Sequence, residues 1–453
     1  MRNSDSEQGL SSQALRKQIR RYILYCTVSL LMLITIISVL IPVISFLSAS
    51  ALLLPVNPYD RAKAIATDYV PFVEYTNYLP YKLSKIMEWK QFDSLLNLTN
   101  SPTRDSLVNL YKDHQLTLTT NIPKLQVGNV SVLVLTTGGS SDCNETTIFA
   151  RTVSQMDLIR ENIVKQHSNE MREVHASGEI NKVFKTRKIS VLTHIDGGHT
   201  IRDSLEVLQY YYTAGARIMT LASQKCPNKF IQSSNYKTIG GYTNGVSTPG
   251  KRIIIGMNKL GMVIDLAHCT ESAITSALSV SFAPVIISST GSKYLSSHED
   301  NLSDEVLLLI KENQGLVIIS QNPLQLSNKE RLQFNKFKAD NSTTPEEATM
   351  KMIKWEISSS SSRASVDDIV EHIDYVKTIT NSCEYVGIGQ GFENPNQPFT
   401  TSGAESSANH MTIAAALIQK GYDDTCVKNI MGLNFLRVLA KVEGVAKSIV
   451  SSA

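Results

Sequence analysis

Two short runs, Val263-Ile-Asp-Leu-Ala-His268 and Pro284-Val-Ile-Ile-Ser-Ser289, carry the first chemical information in this chain. Each is an apolar strand ending where a barrel would open, and only the first ends in a group able to hold a metal. A third run, Ile189–Ile195, contains His194 and leads into Asp196 and His199. Hydrolysis by a pair of metals needs several carboxylates and imidazoles converging on ions roughly 3.5–4 Å apart. The mouth positions expected here offer one carboxylate, Asp196, and three histidines. The fullest site they could build is a single zinc on His268, Asp196 and either His194 or His199. The competing reading, favoured here, makes His194 and His199 hydrogen-bonded structural residues and His268 a remnant. No Gly-x-Ser-x-Gly elbow, Walker loop or HExxH supplies a different reaction. Ser140 and Ser141 read as loop.

The elements that must position these residues are eight β-rich runs: Val70–Glu74, Val130–Thr136, Ile189–Ile195, Arg217–Leu221, Met262–Leu266, Pro284–Ser289, Gly315–Ser320 and Tyr385–Ile388. Several are apolar throughout, as parallel strands buried on both faces are. Most are separated by stretches of helical period. In Ser204–Ala216, for example, Leu205, Leu208, Tyr211 and Tyr212 share one face. Eight strands alternating with helices predict an α/β fold, a (β/α)8 TIM-type barrel, with a doubly wound open sheet as the second choice. Residues 321–367 read as a polar insertion after the seventh strand.

The chain has 453 residues, 42% hydrophobic and 19% charged, with a net charge of +3. That is a globular composition, and near-neutrality gives no argument for nucleic acid. Between Tyr22 and Val56 no residue is charged, a run longer than the ~20 apolar residues that span a bilayer and than the ~7–15 of a cleaved signal. The reading is therefore a transmembrane signal anchor over 22–48, with 1–21 an irregular polar cytoplasmic tail. Arg16, Lys17, Arg20 and Arg21 place that tail inside, and residues 57–453 form an extracellular or lumenal domain. This makes a single-pass type II protein of the plasma membrane or secretory pathway. Asn97, Asn129, Asn144, Asn301 and Asn341 open glycosylation sequons. Outside the span lie five cysteines, Cys143, Cys226, Cys269, Cys383 and Cys426, an odd number, so at least one stays a buried thiol or bridges to a partner.

From about residue 60 to Lys447 the chain resembles the zinc-dependent membrane (renal-type) dipeptidases. The likeness runs through Thr120-Asn-Ile-Pro-Lys-Leu125, Asp196-Gly-Gly-His199, Met257–His268, Ala283-Pro-Val-Ile286, Val386-Gly-Ile-Gly389 and Asn434–Leu439. It implies a (β/α)8 barrel, usually dimeric. Residue by residue, the resemblance also implies a degenerate site. Glu74-Tyr-Thr-Asn-Tyr-Leu-Pro80 matches a motif whose metal-binding His and Asp fall on Thr76 and Tyr78. The bridging glutamate becomes Asp196. The first imidazole ligand survives as His268, and the second is Ser289. The substrate-polarising histidine is Ser223, the carboxylate-binding arginine falls on Glu299, and the catalytic aspartate on Gly391, beside Gln390. Glu393 could stand in for one aspartate. The resemblance implies a Cys143–Cys226 disulfide and no counterpart of the family's second pair.

These readings converge on a membrane-anchored, dipeptidase-like pseudoenzyme: a binding or structural glycoprotein without a cofactor. Its expected partners are the membrane, an unidentified protein or peptide ligand, and a second copy in a homodimer. The alternative is an active zinc dipeptidase or metallohydrolase with a reduced mononuclear site.

Overall fold

The computed structural model describes residues 5–53, 57–84, 118–138, 143–223, 226, 229–234, 245–338, 363–389, 391–394 and 400–451. It divides into two units, Met1–Asn57 and Pro58–Ala453. The first contains one 49-residue helix, Asp5–Leu53. Within it Arg16–Ser38, of mean hydropathy 1.8, is long and apolar enough to cross a membrane. The polar tail expected to be irregular is helical from Asp5. Its Glu, Gln, Leu, Arg and Lys residues are good helix formers, and the apolar run supplies the nucleus they extend.

In the second unit the strands are β1 (Phe72–Asn77), β2 (Val130–Thr137), β3 (Met171–Glu173), β4 (Ile189–Asp196), β5 (Ala216–Thr220), β6 (Val263–Asp265), β7 (Ile286–Thr290), β8 (Leu316–Ser320) and β9 (Val386–Gly389). All pairings are parallel, in the order β2-β1-β9-β8-β7-β6-β5-β4-β3, and β2 also pairs with β4. That pairing closes eight strands into a TIM-type barrel and rules out the open sheet. β3 is an extra strand that sequence reasoning missed. It borders Ile189–Val191 at the start of β4, before β5 takes over that edge at Thr193.

The expected strands all exist, with ends moved by at most three residues. β1 moves most, from 70–74 to 72–77, because Glu74, Thr76 and Asn77 are buried polar residues that hydrophobicity does not mark as strand. Tyr75, Val134, Leu192, Ile218, Ile286 and Ile318 form one core cluster with Phe435 and Leu439 of the final helix, Asn434–Ser451. Ser204 Oγ accepts from Val207 N at 3.1 Å and caps helix Leu205–Thr213, which buries Leu208 and Tyr211 but leaves Leu205 41% exposed. The insertion begins as helix rather than loop, Pro323–Leu326 and Asn328–Lys338, and the helix Val366–Thr380 starts inside its end. Residues 339–362, with Asn341, lie outside the described residues, as do Asn97, Ser140 and Ser141.

Cys143 and Cys226 are bridged. A second disulfide, Cys383–Cys426, joins the turn before β9 to helix Asp424–Lys428. The resemblance implies one disulfide and leaves Cys269, Cys383 and Cys426 unassigned; this bridge pairs two of them. Cys269 is the buried free thiol. Of the sequons, Asn144 is exposed and Asn129 half-buried. Asn301 is 1% exposed, and its Nδ2 donates to the carbonyls of Ser296 at 2.8 Å and Gln325 at 2.9 Å. Glycosylation at Asn301 is incompatible with that packing, because the amide a glycan would occupy is spent inside.

Candidate functional site at the barrel mouth

A hydrogen-bonded belt crosses five strands just inside the mouth. Thr136 of β2 meets His194 Nδ1 at 3.1 Å, His194 Nε2 meets Thr220 Oγ1 at 2.8 Å, and Thr220 Oγ1 donates to Asp265 Oδ2 at 3.0 Å. Ser288 Oγ of β7 donates to the same oxygen at 2.5 Å, and the amides of Ala267 and Ser288 bond Asp265 Oδ1. Thr220 has one hydroxyl proton and gives it to the carboxylate, so it receives Nε2–H from His194. With the ring neutral, Nδ1 is the acceptor for Thr136. Burial pushes the His194 pKa down against the pull of Asp265, which agrees. Both ring nitrogens of His194 are thus taken up by strand hydroxyls. Asp265, which sequence reasoning did not single out, is a fully buried carboxylate satisfied by its neighbours.

Above the belt, the remaining polar groups are largely paired with one another. Tyr78 Oη donates to Asp196 Oδ2 at 3.1 Å. Burial, then Asp196, raises the phenol's pKa well above its usual value, so Tyr78 stays a neutral donor. His268 Nδ1 lies 2.9 Å from Asp300 Oδ2, and Ser234 Oγ donates to Asp300 Oδ1 at 2.5 Å. Burial opposes the histidine's charge, but the Asp300 carboxylate outweighs it and raises the pKa to about 9. Burial likewise opposes ionisation of Asp300, and His268 holds it well below the usual carboxylate range. His268 is therefore half of a buried ion pair. Its partner is one residue beyond Glu299, which is exposed.

The other positions are equally specific. Ser289 Oγ contacts Gln325 Oε1 at 3.4 Å while its carbonyl accepts from Gln325 Nε2 at 2.8 Å. Ser223 Oγ accepts from Cys226 N at 3.2 Å and so braces the first disulfide. Gly391 takes a left-handed φ of 65°; Gln390 lies outside the described residues. Glu393 does not replace a catalytic aspartate. Its Oε1 accepts from Thr119 Oγ1 at 2.8 Å and from Thr120 N at 3.1 Å, and its Oε2 binds Lys82 Nζ at 2.5 Å. Glu74 is likewise committed, with Oε2 3.0 Å from His410 Nε2 and Oε1 accepting from Asn77 Nδ2 at 2.5 Å. His199 departs from expectation. It is half-buried, and neither ring nitrogen has a hydrogen-bond partner among the described residues. Burial lowers its pKa against the opposing pull of Asp196.

Backbone conformation links three of these positions. Thr76, His268 and Ser289 have φ of 65°, 62° and 53°. A left-handed backbone is rare for any residue with a Cβ, and for a β-branched threonine it is an outlier. Each such position costs roughly 1–3 kcal/mol and persists only where surroundings impose it. They are the three positions at which the resemblance implies imidazole ligands, and only His268 still carries one.

The donor set does not fit a metal centre. Two of the three left-handed positions carry hydroxyls, Asp196 accepts a phenol, and His268, with Nδ1 on Asp300, could contribute Nε2 alone. No group of three or more His, Cys, Asp or Glu side chains among the described residues is placed to hold an ion.

Residues 59–453 match the family model described as Membrane dipeptidase (Peptidase family M19). The chain is 31% identical over 297 residues to Dipeptidase tcpJ of Claviceps purpurea (strain 20.1), covering 66% of this chain and 61% of the relative. It is 25% identical to Dipeptidase 3 of Mus musculus over 389 residues, 85% of this chain and 67% of that protein. The chain thus spans less than two thirds of the length of the first curated relatives it matches. Among solved structures it is similar to the probable dipeptidase PvdM from Pseudomonas aeruginosa, with a TM-score of 0.71 at 16% identity over 86% of this chain and 100% of that one. A metallo peptidase from Rhodobacter sphaeroides, liganded with a phosphinate mimic of the dipeptide L-Ala-D-Ala, gives 0.64 at 15% over 83% of this chain and 100% of that one. At these identities the structural likeness speaks for the barrel alone.

Proposed function

The chain belongs to the membrane dipeptidase family, peptidase family M19, and from that premise we propose that it is a catalytically degenerate member, anchored in a membrane and acting by binding rather than hydrolysis. The observation that carries this reading is the set of left-handed backbone positions at the mouth, where Thr76 and Ser289 present hydroxyls and only His268 an imidazole. Zinc, when bound in this family, would polarise a peptide carbonyl and its attacking water. Here His268 could offer Nε2 with Nδ1–H kept on Asp300, as metal-bound histidines often keep a carboxylate. Asp196 would have to share with Tyr78, and two such donors alone fall short of a zinc site's three protein ligands.

The anchor reading rests on the apolar Arg16–Ser38 segment and the two disulfides. Arg16, Lys17, Arg20 and Arg21 would sit on the cytoplasmic side. The barrel would then be extracellular or lumenal, on the plasma membrane or along the secretory route, glycosylated at Asn144. Its ligand would be a protein or peptide at the barrel mouth.

One observation favours the alternative of a reduced hydrolase: both His199 nitrogens lack a partner among the described residues, and the ring feels the charge of Asp196. The two readings separate on hydrolysis of a panel of dipeptides by the purified full chain supplied with zinc. The expected rate equals that of the His268→Ala variant. A rate well above that variant's would overturn the degenerate reading.

A further inference from the structure

In the loop that follows β7, Tyr294 stacks on Tyr375 at the protein surface, with ring centroids 5.0 Å apart and planes 13° from parallel. Tyr294 is 76% exposed even so, the most exposed aromatic side chain among the described residues. Both rings are held in place. Lys293 N donates to the Leu302 carbonyl and Leu302 N to that of Gly291, each at 2.9 Å, which closes the loop. Tyr294 N bonds Ser292 Oγ at 3.2 Å. From helix Val366–Thr380, Tyr375 Oη reaches both Asp304 oxygens, at 3.0 and 3.1 Å. One face of the Tyr294 ring is thus covered, and the other is held open to water.

Elsewhere the chain covers tyrosine rings with its own cations. Arg217 lies 4.1 Å from the centroid of Tyr212, Lys377 4.3 Å from that of Tyr422, and Lys428 4.4 Å from that of Tyr69. Among the described residues no cation sits over Tyr294, and its neighbour Lys293 is committed to Glu271 at 3.1 Å. The charge beside the pair is instead negative. Asp304 and Glu371 are exposed, and neither is in an ion pair among the described residues. Glu371 precedes Tyr375 by four residues and so shares its helix face. Asp304 receives one phenol proton, which leaves most of its acceptor sites open. A cation above an aromatic face is attracted by the ring quadrupole. A planar guanidinium can stack there while its N–H edge bonds a carboxylate, which an ammonium cannot do.

We propose that this stacked pair is a docking platform for an arginine-bearing segment of a partner protein. The guanidinium lies on the outer face of Tyr294 with its edge toward Asp304 or Glu371. Because the rings are fixed before the partner arrives, little ordering cost falls on this side of the contact. None of these residues belongs to the hydrogen-bonded groups of the mouth, so the binding stands or falls independently of any hydrolytic activity.

The test titrates a fluorescently labelled tetra-arginine peptide with the full-length chain in detergent at low salt and follows anisotropy. The wild type should bind saturably, and more weakly as salt is added. Tyr294→Ala, at a site exposed enough to leave circular dichroism unchanged, should weaken binding roughly fivefold, the scale of one exposed cation–π contact. Tyr294→Phe keeps the ring and should bind as the wild type does. Glu371→Gln should lower the affinity and make the salt dependence shallower. Equal affinity for the wild type and Tyr294→Ala, or a Tyr294→Phe variant as weak as Tyr294→Ala, would overturn the proposal. Tighter binding of a tetra-proline peptide or of maltotetraose would overturn it too, and would make the platform one for a proline-rich segment or a glycan.

Discussion

His268 Nδ1 and the Asp300 carboxylate lie 2.9 Å apart in the wall of the barrel mouth, both side chains less than a tenth exposed. They are 32 residues apart in sequence, and each answers a charge that the other could not bear alone at that depth. Replacing Asp300 with alanine leaves a buried imidazole without its counter-charge and removes the shorter of the two Ser234 hydroxyl contacts. A loss of roughly 3–5 kcal/mol is expected, the usual cost of breaking a buried pair from one side. The double variant His268→Gln, Asp300→Asn should lose clearly less than the sum of its single changes. Urea unfolding of the four proteins measures this, and additive losses would mean the two residues are not coupled.

The same pair sets a pH dependence. The His268 pKa is raised to about 9 in the fold, against roughly 6.5 unfolded. Its contribution is therefore complete below about pH 6.5 and is lost as pH rises through about 9. Asp300 has a depressed folded pKa, so its share is present above roughly pH 4 and disappears only as pH falls through that lowered value. Melting temperature should accordingly decline between pH 6.5 and 9 in the native chain. A His268→Gln variant should be flatter over that range; a native profile no steeper than the variant's would contradict the assignment.

Strain at the former ligand positions gives a third expectation. Ser289 holds a φ of 53°, while its hydroxyl makes only a 3.4 Å contact with Gln325. Glycine adopts that conformation freely but gains unfolded-state entropy of roughly 0.5–1 kcal/mol, so Ser289→Gly should be neutral or stabilising by up to about 1 kcal/mol. Thermal unfolding decides this. A loss beyond about 1 kcal/mol would mean that the Ser289 side chain matters more than its backbone.

Glycan mapping offers a fourth check. Enzymatic deglycosylation followed by peptide mass analysis should find carbohydrate at exposed Asn144 and none at Asn301, whose amide is enclosed. Full occupancy at Asn301 would show that the loop from Ser292 to Asn301 packs differently from the description given above.

The barrel was legible because runs such as Leu316–Ser320 are buried along their whole length, and a strand hidden on both faces must be apolar throughout. β3 escaped because three residues, Met171–Glu173, carry no periodicity. The mouth was legible only at positions with a recognisable motif: Asp196, His268 and the hydroxyls at Thr76 and Ser289. Asp300, Asp265 and Glu74 were passed over because their meaning lies in their partners. Glu74 meets His410 across 336 residues, and no local spacing announces such a contact. The Cys383–Cys426 bridge was hidden in the same way, since an odd count of cysteines cannot say which remain single.

The account turns on whether the mouth holds zinc. The most direct measurement is the metal content of the full-length, glycosylated protein, purified without chelator and analysed by mass spectrometry of the element. Below about a tenth of a zinc ion per chain is expected, since two of the three left-handed positions carry hydroxyls and Asp196 is engaged by Tyr78. One or two ions per chain, lost in the His268→Ala variant, would contradict the degenerate reading and make the chain a metallohydrolase.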